Sequence, residues 1–105
     1  MREKFKRKGK FYVYIVECVD KTFYAGYTPD IEKRIKLHNA GRGAKYTRDR
    51  RPVKLAWCKE YHQFKSAFKT ERVIKRLTRL QKESLVKGRR LDKVLEEAKK
   101  YGSKK

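Results

Sequence analysis

Residues 12–38, YVYIVECVDKTFYAGYTPDIEKRIKLH, decide the fold of this chain. Aromatic and β-branched residues alternate with other residues over two runs, residues 11–18 and 22–27. A short break over residues 19–21 separates the two runs. Alternation with a period of two, in segments rich in such side chains, predicts a β-hairpin.

The helix that follows the hairpin has an unusual inner face. Thr28 is predicted to cap this helix, with Pro29 at the first helical position. Residues three and four apart lie on one helical face, so Arg34 and His38 share a face with two isoleucines. A helix that packs on a hairpin is expected to turn an apolar face inwards. An arginine and a histidine on that face, beside a hairpin rich in tyrosine, suggest chemistry.

The composition indicates one small domain with an anionic partner. The chain has 105 residues, of which 38% are hydrophobic and 42% charged, and its net charge is +20. Such a charge destabilises a compact chain by self-repulsion unless a polyanion shares the surface. Nucleic acid is the simplest such partner, because lysines and arginines that neutralise phosphates release counterions. An anionic membrane surface is the alternative, but no long amphipathic helix with exposed apolar groups is evident.

The cysteines and the N-terminal sequence indicate a cytoplasmic protein. Cys18 and Cys58 lack the spacing of a metal site and fall in strand-like runs, so we expect two buried, reduced thiols. The basic N-terminus followed by FYVYIV is not a signal peptide, because the apolar run is short, alternates and ends at Glu17. No run reaches the length of a membrane span. We expect no membrane association, and no haem or nucleotide cofactor.

The chain divides into three parts by composition. Residues 1–10 form a basic arm, residues 11–87 form the main domain, and residues 88–105 form a C-terminal helix with a basic tail. Such a basic arm either contacts an anion or is an idle tail.

The remaining elements follow the hairpin and its helix. Residues 53–61 alternate again and predict a third strand, with Val53, Leu55, Trp57 and Tyr61 on one side. Residues 66–77 predict a second helix, and a capping box at residues 78–81 begins a third that runs to about residue 87. Apolar spacing from residue 91 predicts a fourth helix. The fold class is therefore α+β, with a small sheet and at least one helix packed on it.

Residues 41–52, GRGAKYTRDRRP, predict a loop that binds anions. Glycines and a tyrosine are interleaved with the positive charge, whereas a charge run that is only solvated shows no such pattern. Tyr46 either stacks on a base or packs within the protein. The predicted nucleic-acid-binding residues are Arg42, Lys45, Tyr46, Arg48, Arg50 and Arg51.

Glu71 lies in the middle of the apolar face of the second helix and is the only acid in that helix. An ionised carboxylate is seldom buried without a partner or a metal. One interpretation is a structural ion pair with Arg34 or a neighbouring arginine. The other is a ligand for a hard divalent cation, which prefers carboxylate oxygen.

Four motifs in order resemble the GIY-YIG nuclease superfamily over residues 11–85. Tyr12-Val13-Tyr14 resembles the first motif and Tyr24-Ala25-Gly26 the second. Arg34 matches the arginine of the family's first helix, and Glu71 matches its metal-binding glutamate. The segments GRGAKYTRDRRP and LTRLQKESLV are similar to the small stand-alone branch of this superfamily.

The resemblance implies a three-stranded antiparallel sheet flanked by helices and an endonuclease with one Mg²⁺ or Mn²⁺ ion. In that scheme Tyr14 is the general base or orients the attacking water, and Tyr24 assists it. Arg34 stabilises the charge that develops on the phosphate. Glu71 holds the metal, and His38 lies where some members place a histidine or tyrosine near the water.

This sequence also departs from the family pattern. The first motif is YVY in place of GIY and the second YAG in place of YIG, and Tyr27 stands where some repair members have lysine. The asparagine that homing members have after the glutamate helix has no evident match.

Two functions follow from these patterns. The first is a structure- or damage-directed endonuclease that acts on DNA, or on RNA, in repair or recombination, with a protein partner supplying specificity. The alternative is a basic module that binds DNA or RNA on the same fold without catalysis. A binding module needs the basic residues of the 41–52 segment but has no use for Glu71.

Overall fold

A computed structural model describes residues 8–99 of the chain. Three strands form within this range: β1 (Lys8–Glu17), β2 (Phe23–Thr28) and β3 (Lys54–Gln63). The helices are α1 (Ile31–Asn39), α2 (Lys45–Arg48), α3 (Phe64–Lys75), α4 (Arg79–Val86) and α5 (Leu91–Glu97). None of the helices in this range is long and apolar enough to cross a bilayer.

The strands form one antiparallel sheet in the order β2-β1-β3, with β1 in the centre. The predicted α+β class, hairpin and third strand are confirmed. Strand β1 begins at Lys8, inside the basic arm predicted for residues 1–10, and its first residue pairs with Gln63. The rest of that arm, residues 1–7, lies outside the described residues.

A bulge in β3 makes one sequence prediction wrong. Val53, Leu55, Trp57 and Tyr61 were predicted on one side, but Ile15 pairs with Trp57 while the next residue of β1, Val16, pairs with Leu55. The extra residue inverts the alternation, because two residues of β3 then oppose one residue of β1. As a result Val53 packs with one core cluster, whereas Trp57 and Tyr61 pack against the other.

The sheet has an apolar cluster on each face. The larger cluster lies between the sheet and helices α3, α4 and α5, and contains Phe11, Val13, Ile15, Ala25, Ala67, Ile74, Leu77, Leu85 and Val94. The smaller cluster contains Tyr14, Val16, Cys18 and Val53, and Ile31 and Ile35 of α1 pack against it. Alternate residues of β1 therefore supply both cores, and the face that contains Tyr14 is covered by α1.

The start of α1 differs from the sequence prediction, whereas the start of α4 agrees with it. Asp30 caps α1, and its carboxylate accepts from the Lys33 amide at 3.1 Å; Thr28 was predicted as the cap but ends β2. The Thr28 hydroxyl instead accepts from the Asp30 amide, because a β-strand that runs to residue 28 leaves the cap position to the next acceptor. The predicted capping box of α4 is present, with Thr78 and Gln81 bonded reciprocally.

Two further predictions are corrected. Residues 41–52 were predicted as a loop but include the one-turn helix α2. Cys18 is buried as expected, whereas Cys58, which lies on the edge strand β3, is exposed.

Replacing Leu85 by alanine tests whether α4 is part of the core. Leu85 is 1% exposed and Leu80, on the same helix, is 72% exposed. We expect Leu85→Ala to lower the free energy of unfolding by about 2–5 kcal/mol, since it removes buried methyl groups and leaves a cavity. Leu80→Ala is the matched control and should change it by less than about 0.5 kcal/mol. Urea denaturation measures both; equal effects would contradict the packing of α4.

Candidate active site

The phenol of Tyr14 is held at the centre of the site by a glycine on the neighbouring strand. Tyr14 is 1% exposed and pairs with Gly26 of β2. A Cβ atom at Gly26 would lie 2.7 Å from the Tyr14 hydroxyl oxygen, which is too close for any real side chain. Glycine at this position therefore allows the tyrosine ring to lie against the backbone of β2.

A buried chain of hydrogen bonds links Tyr14 to α1 and α2. The Tyr14 hydroxyl lies 2.9 Å from Nε2 of His38, whose Nδ1 lies 2.8 Å from Oγ1 of Thr47. The Thr47 hydroxyl donates to the carbonyl of Ala44 at 3.2 Å. A hydroxyl has one proton, so Thr47 must accept from Nδ1–H of His38. In the neutral imidazole Nε2 then has no proton, and the Tyr14 hydroxyl donates to it.

The electrostatics of the pair agree with this direction of donation. Burial raises the pKa of Tyr14, the positive charge of Arg34 partly offsets that rise, and Tyr24 and Glu71 add to it. Burial, followed by the charge of Arg34, lowers the pKa of His38 below its ordinary value. At neutral pH the tyrosine is therefore protonated and the histidine is a neutral acceptor.

Tyr24 packs against His38, and Tyr46 packs against Tyr24. The Tyr24 ring meets the His38 ring edge-on at 5.5 Å and stacks on Tyr46 at 5.7 Å. The guanidinium of Arg50 lies 4.2 Å from the centre of the Tyr46 ring, and its Nε donates to Asp20 at 3.0 Å. Tyr46 thus has two partners within the protein, in line with the packing alternative for this residue.

Arg34 is a half-buried cation in the same site. Its charge acts on both Tyr14 and His38. No other described residue forms a hydrogen bond or ion pair with its guanidinium group. A guanidinium presents donors in a fixed fork that matches phosphate oxygens, so this arrangement favours an anionic ligand.

The carboxylate of Glu71 has a lysine as its partner. Glu71 is 7% exposed and its Oε2 lies 2.8 Å from Nζ of Lys75, one helical turn later. The interpretation as an ion pair with an arginine is therefore corrected, because Lys75 is the residue that follows on the same face of α3. The hydrogen bond to Glu71 raises the pKa of Lys75. Burial, and then the charge of Lys75, lowers the pKa of Lys82.

The donor set fits a magnesium ion held by one protein carboxylate. Among residues 8–99 no group of three or more His, Cys, Asp or Glu side chains lies close enough to enclose a metal. Mg²⁺ usually keeps several waters and is bound through one or two carboxylates together with substrate phosphates. Glu71 suits that mode of binding, whereas a closed site such as structural zinc would need more protein ligands.

The predicted nucleic-acid-binding residues fall into two groups. Arg42, Lys45 and Arg48 are exposed, and no described residue pairs with their side chains. Arg50 and Arg51 instead donate to backbone carbonyls, Arg50 to Tyr46 at 2.8 Å and Arg51 to Arg48 at 2.7 Å. The side chains of the first group are therefore available to bind an anion, and those of the second group hold the backbone of the 41–52 segment in place.

Comparison with known proteins identifies the family. Residues 10–84 match the family model described as the GIY-YIG catalytic domain. The chain belongs to the GIY-YIG family. Members of this family are generally nucleases and typically use a divalent metal ion.

Small GIY-YIG relatives cover most of this chain. UPF0213 protein YazA of Bacillus subtilis is 44% identical over 82 residues, which span 78% of this chain and 83% of the relative. The solution NMR structure of UPF0213 protein BH0048 from Bacillus halodurans has a TM-score of 0.51 and 39% identity, covering 85% of this chain and 95% of that one. That of protein EF2693 from E. faecalis has a TM-score of 0.54 and 42% identity, covering 79% and 88%. The resemblance to the small stand-alone branch is confirmed.

The structure brings the five predicted catalytic residues together. His38 is hydrogen-bonded to Tyr14. Arg34, Tyr24 and Glu71 all act on the pKa of the Tyr14 hydroxyl.

Sequence reasoning missed several neighbours of these residues. Thr47 lies in the segment predicted only as a basic loop. Gly43 allows close approach to His38, because a Cβ atom there would overlap the imidazole. The only sequence signal for Lys75 is its four-residue spacing from Glu71.

Titration of His38 tests the electrostatics of the site. The chain contains two histidines, so His62→Gln leaves His38 as the only imidazole signal in an NMR titration. We expect a pKa below the ordinary value of about 6.5, because burial and Arg34 both disfavour the charged ring. Arg34→Gln should raise this pKa without restoring the ordinary value, since burial is the larger cause.

The same titration has a consequence for stability. Because the pKa of His38 is lower in the folded protein than in the unfolded chain, the unfolded chain binds the proton first as the pH falls through about 6.5. His38 should therefore lower the free energy of unfolding below that pH and have no such effect above it. A His38 pKa at or above 6.5 would contradict the neutral-acceptor assignment.

Proposed function

We propose that this protein is a metal-dependent endonuclease that hydrolyses DNA phosphodiester bonds. The observation that supports this most is the buried hydrogen-bond chain from Tyr14 through His38 to Thr47, beside Arg34, whose guanidinium is not bonded by any residue that the structure describes. A core that needed only stability would fill these positions with apolar side chains, because buried polar groups are costly unless every bond is satisfied.

In the proposed reaction the proton of the attacking water moves along this chain. Water attacks phosphorus, its proton passes to the Tyr14 oxygen, and the proton of Tyr14 passes to Nε2 of His38. A tyrosine with a raised pKa is a poor base as a phenolate, because little phenolate exists at neutral pH. An acceptor 2.9 Å away allows Tyr14 to take one proton while it gives up another. The bond from phosphorus to the leaving oxygen breaks, and that oxygen takes a proton from water.

Arg34 and the metal site stabilise the charge of this step. The charge of Arg34 acts on the same hydroxyl, and no described residue bonds to its guanidinium, so Arg34 is proposed to bind two phosphate oxygens at once. Glu71 would hold one Mg²⁺ or Mn²⁺ ion, which when bound neutralises the phosphate and stabilises the leaving oxygen. Tyr24 keeps His38 in place through its edge-on ring contact.

The substrate follows from the basic surface. Arg42, Lys45 and Arg48 are proposed to bind the phosphate backbone, and Arg50 and Arg51 to shape the segment between them. Contacts to phosphates position a protein on DNA but do not read the sequence. We therefore propose that the enzyme recognises DNA structure or damage, in repair or recombination, with a protein partner supplying further specificity.

One observation favours a second candidate, a binding module without catalysis. Lys75 already neutralises Glu71 at 2.8 Å, so the carboxylate is satisfied without a metal. In that case Glu71 and Lys75 form a structural pair, and nucleic acid binds only through the surface charge.

Cleavage of branched and linear DNA with Mg²⁺ or Mn²⁺ distinguishes the two candidates. We expect wild-type protein to cut at least one of these substrates, and Tyr14→Phe to be slower by roughly 100- to 10,000-fold, the usual contribution of general acid–base catalysis. Glu71→Gln should also lose the metal-dependent cutting. Labelled strands separated on a denaturing gel measure the rate.

Two matched variants serve as controls for that experiment. Tyr27→Phe removes a phenol hydroxyl from a residue that packs in the other core cluster. Glu83→Gln breaks a pair with Lys87 that has the same spacing as Glu71 and Lys75. Both controls should cut like wild type. Binding without any metal-dependent cutting would favour the binding module.

Replacing Thr47 tests the hydrogen-bond chain behind the tyrosine. Thr47→Val keeps the shape but removes the acceptor for Nδ1–H of His38, so we expect a roughly 10- to 100-fold lower kcat with little change in KM. Thr47→Ser should restore the rate because it restores the hydroxyl. The tautomer of His38, measured by ¹⁵N NMR, should be Nδ1–H in wild type and Thr47→Ser. An unchanged rate in Thr47→Val would contradict the proton path.

A further inference from the structure

Helix α3 has an exposed basic face that the proposed catalytic step does not use. The side chains on this face lie three, four and seven residues apart, which places them on one side of a helix. The only acid within α3 is Glu71, and it is buried. The exposed face therefore has four cations and one aromatic ring. It consists of Lys65, Phe68, Lys69 and Arg72, together with the C-cap residue Arg76.

The ring of Phe68 is exposed on one side and supported on the other. Phe68 is 40% exposed and stacks on Phe64 with 5.5 Å between ring centres and 21° between ring planes. Phe64 in turn meets Phe11 at 5.9 Å and Tyr27 at 5.6 Å, both edge-on. The ring is thus fixed by the core and needs no ordering before a ligand stacks on it.

A planar cation lies beside this ring. The guanidinium of Arg72 is 5.6 Å from the centre of the Phe68 ring. Arginine stacks on aromatic faces and binds phosphates, so an arginine next to an exposed phenylalanine provides both contacts that a nucleotide makes.

This surface begins next to the proposed catalytic centre. Phe68 precedes Glu71 by three residues and Arg72 follows it by one, so the Cα atoms of Phe68 and Glu71 are roughly 4.5 Å apart along the helix axis. That separation is of the order of one nucleotide along a strand. A strand with its phosphate at Arg34 and Glu71 would therefore bring a neighbouring base to Phe68.

We propose that Phe68 and Arg72 form a stacking site for an unpaired base of a DNA strand held at the active site. This inference rests on the proposed function, and it narrows the substrate to DNA with an unpaired segment. Stacking on an aromatic ring needs a free base face, and in a continuous duplex the neighbouring base pairs cover both faces. Lys65, Lys69 and Arg76 bind the phosphates on either side, without regard to sequence.

Abasic scanning tests the site without requiring cleavage. Fluorescence anisotropy measures the affinity for a single-stranded oligonucleotide in which one base at a time is removed, at one salt concentration and with EDTA present. We expect the affinity of wild type to fall roughly 5- to 150-fold when the stacked base is missing, the range that corresponds to stacking of one base. Phe68→Leu should bind the intact strand more weakly by a similar factor. For this variant, no position in the strand should be found at which removing the base weakens binding by that factor.

Three controls separate stacking from a loss of fold or charge. Phe68→Tyr keeps a ring and should retain the sensitive position. Leu80→Ala removes an exposed apolar side chain from α4 and should bind like wild type. A fully paired duplex should bind Phe68→Leu and wild type equally, because its bases are not available. Urea denaturation confirms that each variant is folded at the assay temperature.

The outcomes also distinguish this inference from the proposed nuclease activity. A scan that is flat for wild type, or identical for wild type and Phe68→Leu, overturns the stacking site even if the protein cuts DNA. A sensitive position that disappears in Phe68→Leu supports the site even if no cutting is found, because the assay contains no divalent metal.

Discussion

The hydrogen bond between Tyr14 and His38 is the interaction on which both fold and site depend. It joins the central strand to α1 between two buried side chains, where an unpaired hydroxyl or imidazole would be costly. Thr47 extends the same bond to α2 and thereby fixes the path of the basic segment. Two glycines make it sterically possible, since a Cβ atom at Gly26 or Gly43 would overlap one of the two rings. Loss of any member leaves another buried polar group without a partner.

Around this bond the site is strongly cationic. Arg34 acts on Tyr14 and His38, and Lys75 pairs with the buried carboxylate of Glu71. Burial, and then repulsion by the charge of Lys75, lowers the pKa of Lys82. The same imbalance holds for the whole chain, whose net charge is +20. Repulsion of this kind is relieved when an anion binds, so a phosphate ligand bound as proposed would also stabilise the folded state. The proposed catalytic centre thus shares the excess of positive charge that the whole chain carries.

Much of this arrangement could be predicted from local sequence patterns. The alternation of β1 and β2, the capping box at Thr78 and the shared face of Arg34 and His38 each depend on residues close in sequence. The bulge in β3 could not be predicted, because it is set by pairing with a strand some forty residues earlier. Thr47 and Gly43 were missed for the same reason, since their importance arises from the imidazole that they meet in space. The partner of Glu71 was missed because several basic residues lie near it in sequence, and only packing selects Lys75.

Lys75 also bears on the choice between a nuclease and a binding module. Its side chain is 49% exposed, in contrast to that of Glu71 at 10%, so the ammonium group can leave the carboxylate without disturbing the core. Lysine is a point charge on a flexible stem, and a bound phosphate offers it another anion nearby. When the ammonium group of Lys75 moves to such a phosphate, Glu71 is left with a buried negative charge that requires a new cation. An ion pair in the absence of substrate is therefore compatible with the proposed metal site in its presence, because a substrate phosphate would compete with Glu71 for the lysine.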